Sequence, residues 1–230
     1  MTSNRVKGVF SGFLITGLVQ SSSATTVMTV SFVNAGLLTL VESAGIMMGA
    51  NVGTTITAWL IDIFGFKVSI ASYSLIMIAI AAPMMFARRE KIKAWGGVII
   101  GFALLFYGLG ELKHAVPKLD ADSALVQFFI NYKDIPFLGN LIFILLGTLV
   151  TVVVQSSSAA MALTMTLTSA GIIPFEVACA MILGENIGTT ITAEIASLVG
   201  NVSAKRSARI HSMFNIVGVT WMVLLMPLFL

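Results

Sequence analysis

Residues 20–24 read QSSSA, and residues 155–159 read QSSSA again. Residues 49–58 read GANVGTTITA, and residues 184–193 read GENIGTTITA. Both pairs are separated by the same 135 residues. Gly12 and Gly147, Thr16 and Thr151, Ala35 and Ala170, and Gly36 and Gly171 hold the same register. Identical pentamers at one offset, with no net insertion between the blocks, mean a duplicated architecture. Packing of helices through small residues would scatter Gly and Ser along the chain, but it would not repeat a pentamer in register.

The medium follows from composition. Of 230 residues, 57% are hydrophobic and only 10% charged, against roughly 25% charged in ordinary globular chains. Mean hydropathy is +1.00. So few charges cannot clothe a water-soluble surface, which excludes a cytosolic enzyme, a nucleic-acid binder and a disordered protein. The net charge of +3 and the pI of 9.2 are therefore read as membrane topology. Cys179 is the single cysteine, so no intrachain disulfide forms. The opening MTSNRVKG has no cleavage pattern of a signal peptide after it. In a membrane protein a two-fold repeat points to a transporter with its site at the repeat interface.

A full helical span needs about 20 apolar residues. Segments 68–86, 94–112 and 210–230 qualify. The repeat regions break into shorter pieces at QSSS, which suggests re-entrant halves. The predicted fold is an all-α polytopic membrane protein of two inverted repeats, each a re-entrant helical hairpin followed by a broken transmembrane helix, plus plain transmembrane helices. The first repeat, 1–93, holds a hairpin (6–33), a broken helix (37–64, with Gly45, Gly49 and Gly53 in its middle) and a span (68–86). A connecting span and outer loop occupy 94–136. The second repeat, 137–230, holds a hairpin (137–170), a helix broken around Gly184 and Gly188 (172–199) and a span (210–230).

Counting crossings places Arg5, Lys7, Arg88, Arg89, Lys91, Lys93, Lys205, Arg206 and Arg209 on one face, and only Lys67, Lys113, Lys118 and Lys133 on the other. The positive-inside rule makes the first face cytoplasmic. A cell-membrane protein results, with loops 88–93 and 203–209 in the cytoplasm and loop 113–136 outside. The hairpins then enter from opposite faces.

Serine is a good N-cap, and a helix N-terminus presents free N–H groups and a positive dipole end. QSSS at a hairpin tip is therefore an anion site, and two tips from opposite faces meet near the midplane. Gln and Ser oxygens also suit a small hard cation such as sodium. The bland reading is that Ser and Gln glue helices together, and it weakens when both copies are considered. In G-x-N-x-G-T-T, Asn51 and Asn186 offer amide oxygens and Thr54, Thr55, Thr189 and Thr190 hydroxyls. Some of these threonines must instead form a packing seam. Glu185 replaces Ala50 inside the motif, and an intramembrane carboxylate is expensive and usually functional. Asp62 and Glu194 lie nearer helix ends, Glu42 and Glu176 suit capping, and His211 and Asn215 open the last helix. No nucleophile–base arrangement recurs at both tips, no zinc spacing exists and no phosphate loop is present. The chain is read as a non-enzyme without cofactor, its only metal being sodium as coupling ion.

The paired QSSSA and G-x-N-[VI]-G-T-T elements resemble the type II sodium-dependent phosphate cotransporter family, its bacterial branch most of all. That resemblance covers nearly the whole chain. It implies secondary active uptake of inorganic phosphate driven by sodium. Carried over residue by residue, Gln20, Ser21, Ser22, Ser23, Gln155, Ser156, Ser157 and Ser158 would bind phosphate. Gln20, Asn51, Thr54, Thr55, Gln155, Asn186, Thr189 and Thr190 would bind sodium. Glu185, Asp62, Arg209 and Asn215 would support them from behind. KRSARIHSMFN resembles the family's stretch after the second motif, whereas KVSIASYSLIM departs from it after the first. Family members commonly carry a further helix before the first hairpin and more chain after the last, which leaves open whether this chain is a fragment of such a protein. The physical reading leaves open another divalent anion, such as sulfate or a dicarboxylate, and a non-transporting phosphate sensor or scaffold. Phosphate, sodium and lipid are the expected partners, nucleic acid is not, and an oligomer is left open.

Single cysteines placed in 88–93 and 203–209 are expected to react only from the cytoplasmic face, and those in 118–134 only from outside. Labelling of the two basic loops from opposite faces would replace the hairpins by two ordinary spans.

Overall fold

The computed structural model describes residues 4–68, 70–115, 123–133, 135 and 137–228. All regular structure among them is helical. Two compact units are present, Met1–Thr57 with Leu119–Leu230, and Ala58–Lys118.

In the first unit α1 (Arg5–Val19) is followed directly by α2 (Ser22–Asn34), and further along α7 (Leu138–Val154) by α8 (Ser157–Ser169). At 15 residues α1 is about 22 Å long, at 1.5 Å per residue, too short for a hydrocarbon core of about 30 Å. The repeat is conformational as well as sequential. Gln20 and Gln155 both sit in the left-handed region (φ 57° and 55°), and each N–H donates to a threonine carbonyl, Thr16 or Thr151, at 2.7 Å. Ser21 and Ser156 then cap the next helix, each accepting from the N–H three residues on at 3.2 Å. Both second helices end before a glycine of positive φ, Gly36 (73°) and Gly171 (74°).

The segment expected to be a broken helix at 37–64 is instead one continuous α-helix, α3 (Leu40–Leu60), which passes into a π-helical stretch at Ile61–Lys67. Its glycines provide close approach, not breakage. A Cβ on Gly49 would lie 1.9 Å from the Val9 carbonyl oxygen, and one on Gly12 of α1 would lie 2.0 Å from that of Ile46. The second copy repeats this seam at Gly184 against Ile144 and at Gly147 against Met181. There the helix is interrupted, as α9 (Phe175–Gly188) and α10 (Thr190–Ser197) flank Thr189.

Three further expectations shift. The span expected at 68–86 is helical only over Ile70–Met84, as a short 3-10 turn and α4 (Ser74–Met84). The outer loop contains α6 (Ala124–Lys133), whose Val126 and Phe129 are buried, with Phe129 against Phe143. Lys118 and the loop residues 116–122, 134 and 136 lie outside the described residues. The last helix, α11 (Val202–Leu225), begins eight residues before the expected 210, because Asn201 caps it.

Among the described residues three helices are long and apolar enough to cross a membrane: Leu40–Lys67, Glu90–Ala115 (α5) and Val202–Leu228. In the second unit α5 packs on α4, and Phe64, Phe102 and Phe106 form an aromatic cluster. Lys113 donates to the Gly65 carbonyl at 2.7 Å, which caps the π-helical stretch. The core of the first unit includes Val30, Met47, Ala193, Ala204 and Ala208, contributed by α2, α3, α10 and α11.

Gly12→Ala and Gly147→Ala are each expected to lower thermal stability, because the opposing atoms are backbone and cannot turn away; overpacking of this kind costs about 1–3 kcal/mol. Gly101→Ala, with nothing within 4 Å, is the control expected to be neutral. Unchanged melting of Gly12→Ala would contradict the seam.

Candidate functional site

The two tips meet. Ser22 and Ser157 are the first residues of α2 and α8, both are buried, and their hydroxyl oxygens lie 3.1 Å apart. These are equivalent positions of the two copies, and contact of a position with its own counterpart is what a two-fold axis through that point produces. One hydroxyl donates to the other, so a single proton of the pair remains for an outside acceptor. Around the contact are the first N–H groups of both helices, which have no partner within their helix. Ser21, Ser23, Ser156 and Ser158 flank it half-buried.

The glutamines differ. The Gln20 side chain ties the first tip down, accepting from Thr57 at 2.9 Å and donating to the Gly17 carbonyl. Gln155 is exposed, with no side-chain partner among the described residues. Thr16 and Thr25 brace the first tip with a buried hydroxyl pair at 3.0 Å, while the second tip has Thr151 and Ala160 in their place. A glutamine in the left-handed region costs on the order of 1 kcal/mol or more, and both copies carry it at the same place.

Asn51 belongs to a second group. Its Nδ2 donates to Asn215 at 2.6 Å, and its Oδ1 lies 3.3 Å from His211 Nε2. Asn215 in turn donates to the His211 carbonyl at 2.9 Å. His211 is buried, and its Nδ1 has no partner. Together with the Ser207–Ser43 hydrogen bond at 2.9 Å, these pairs ascend α3 and α11 in the same sense. A cavity of about 320 Å³ opens here, lined by Asn51, Thr55, Asn186, Phe214, Asn215 and Trp221. Asn51 and Asn186, equivalent in the repeat, thus share one cavity, which Ser22 and Ser157 do not line.

Most threonines of the second motif spend their protons on backbone carbonyls three or four residues earlier. Thr54 donates to Ala50, Thr55 to Val52 and Thr190 to Ile187, at 2.7–3.1 Å. What remains on these oxygens is lone pairs, which suit a cation and not an anion. Thr189 is buried at the interruption between α9 and α10. Asn186 donates to Ile182 at 3.2 Å, leaving its amide oxygen unused. Glu185 is buried and accepts from Thr164 at 2.7 Å. Arg209 lies 3.5 Å from Glu194, which also accepts from Ser212 at 2.6 Å. Asp62, in the other unit, pairs with Lys67 at 2.8 Å.

Thr57, His211 and Thr164 take part without having been read as site residues. Thr57 had a signal in the repeated GTTIT, and His211 in standing four residues before Asn215 on an apolar helix, whereas Thr164 had none.

A family model described as Na+/Pi-cotransporter matches residues 1–114 and 131–228. The chain is 31% identical over 219 residues to the uncharacterized protein YqeW of Bacillus subtilis, covering 95% of this chain and 68% of that one. It is 36% identical over 210 residues to the Escherichia coli protein named "Putative inorganic phosphate export protein YjbB", covering 90% of this chain and 37% of that one. Over 126 residues, 51% of this chain and 18% of the relative, it is 32% identical to the human sodium-dependent phosphate transport protein 2B. No solved structure matches.

With Cys179→Ser as background, Ser22→Cys and Ser157→Cys together are expected to form a disulfide on mild oxidation, since the two hydroxyl oxygens they replace lie 3.1 Å apart. Counting reactive thiols in the unfolded protein reads the result. Two free thiols after oxidation would separate the tips.

Proposed function

The chain belongs to the Na+/Pi-cotransporter family, and from that membership we propose that it carries inorganic phosphate across the cell membrane in symport with sodium. The observation that supports this most is the 3.1 Å contact of Ser22 with Ser157. Two helix N-termini directed at one point create a positive potential and a set of N–H and O–H donors, the environment a phosphate oxyanion needs. Phosphate oxygens would take the tip serines and backbone N–H groups. Sodium would take the oxygens whose protons are already spent, those of Thr54, Thr55 and Thr190, together with Asn51, Asn186 and the glutamine amides.

In this reading α1–α2 and α7–α8 are re-entrant hairpins that enter from opposite faces. The repeats are then inverted, and alternating access is a rocking of the two halves about the shared tip contact. The basic loops at 88–93 and 203–209 face the cytoplasm. No chemical step is involved, because the cargo leaves as it entered. A symporter runs in whichever direction its combined gradients drive it, so an inward sodium gradient draws phosphate in. The name of the Escherichia coli relative favours a second reading, in which the physiological flux is outward.

Uptake of labelled phosphate into proteoliposomes tests the proposal. An inward sodium gradient is expected to raise uptake several-fold over potassium, and a reversed gradient to drive release. Equal uptake without sodium would contradict the coupling, and competition by sulfate at equal concentration would contradict the choice of anion. Ser22→Trp with Ser157→Trp is expected to abolish uptake while the protein still inserts. Gln20→Ala and Gln155→Ala are expected to shift the sodium dependence more than the phosphate dependence.

A further inference from the structure

We propose that Glu185 and Thr164 form a sodium site of their own in the second repeat, separate from the contact between the tips. The inference rests on the symport reading and identifies where one coupling ion binds. Glu185 is 3% exposed. One hydrogen bond reaches its carboxylate among the described residues, from the Thr164 hydroxyl to Oε1 at 2.7 Å, and no ion pair does. A carboxylate has room for about four donors. A buried charge so thinly compensated is expensive unless a cation joins it.

Among the described side chains, the elements packed on α9 offer Glu185 no counter-charge. Neither α7 nor α8 contains a charged residue. On α10 the charged residue is Glu194, which engages Ser212 and Arg209. On α11 Lys205, Arg206 and Arg209 are exposed, and His211 is turned to Asn51. The charged residue of α6 is Lys133. Glu176 on α9 itself is exposed in the first turn, and Cys179 follows it. With no counter-charge among the described side chains, a cation bound from outside the chain would supply the compensation. A hard cation is the fit, because the ligands on offer are carboxylate and hydroxyl oxygens.

The first repeat supplies an internal control. The counterpart of Glu185 is Ala50, and that of Thr164 is Thr29. Lacking a carboxylate opposite, Thr29 bonds back to its own helix at the Thr25 carbonyl, 2.7 Å away. Such back-bonding is the ordinary state of a mid-helix threonine. Thr164 departs from it only where Glu185 stands. The site is thus a feature of one repeat, and the two halves divide the cation work unequally.

Thr164 lies seven residues beyond Ser157 on α8, about 10 Å at 1.5 Å per residue. At that range in a low-dielectric interior a bound sodium attracts an anion at the tips, and it does so without sharing ligands with it. Sodium binding is therefore measurable before phosphate arrives.

Equilibrium binding of radiolabelled sodium to the purified full chain, without phosphate, tests the site. Saturable binding is expected, with an affinity that rises with pH as the proton leaves the carboxylate and stops competing. Glu185→Gln is expected to weaken sodium about tenfold or more and to remove the pH dependence, the scale of one lost charge-assisted contact. Glu185→Asp should retain part of both. Thr164→Val should weaken binding severalfold, and Thr29→Val should leave it unchanged. Unaltered sodium affinity in Glu185→Gln, or no saturable binding by the unmodified chain, overturns the site. Where Glu185→Gln fails to give monodisperse protein, equal affinities of Thr164→Val and Thr29→Val overturn it. Sodium-driven phosphate uptake that persists in Glu185→Gln with the same sodium dependence overturns this site alone. Absence of sodium-driven uptake by the unmodified chain overturns the symport reading instead.

Discussion

Two helices that begin at one point, with their hydroxyls 3.1 Å apart, impose a condition on everything around them. Each N-terminus carries about half a positive charge, and like ends repel when brought together away from water. The arrangement persists only because other contacts hold it. On the first side these are the left-handed Gln20, its bond from Thr57 and the Thr16–Thr25 pair. On the second side they are the left-handed Gln155 and the backbone bond to Thr151. The proposed cargo, an anion, is the species that relieves this repulsion.

The glycine seams place the tips. Gly12 and Gly49 bring α1 and α3 to backbone contact, and Gly147 and Gly184 do the same for α7 and α9. Because both seams occupy equivalent positions, the tips they carry are equivalent too. α11 then ties the halves together. Asn201 donates to Asn34 at the end of α2, and Ser207, His211 and Asn215 pair with Ser43 and Asn51 on α3. An element of the second repeat is thus bound along its length to elements of the first.

Sequence was most informative where the signal was repetition. The doubled QSSS already pointed to the capped helix starts that the structure contains, and the register of Gly36 with Gly171 marked two equivalent positions that the structure shows to be left-handed. The glycines of α3 were misread because Gly serves equally in a broken helix and in a tight crossing. The partner that decides between them, Val9, lies 40 residues away. α6 was missed because its ten residues are too few for a span and lie in a polar loop, and Phe129 finds its partner only across the fold in Phe143. Thr164 resembles any mid-helix threonine until Glu185, 21 residues on, is placed opposite it. Asn51 was read as a sodium ligand together with the glutamines, yet its partners are on α11, 160 and 164 residues later. Local chemistry was therefore legible, and so was the one long-range pairing that the repeat implied, Ser22 with Ser157, whereas pairings that the repeat does not relate were not.

The central claim is that the two tips serve one anion. Equilibrium binding of labelled phosphate to the unmodified chain, to Ser22→Ala, to Ser157→Ala and to the double variant tests it most directly. The account expects one phosphate per chain, and each single substitution should weaken that same phosphate by about 1.5–3 kcal/mol, the range for hydrogen bonds to charged groups, or roughly ten- to a hundredfold. Two phosphates per chain, with each substitution abolishing only one of them, would contradict it, and so would affinity indifferent to both serines.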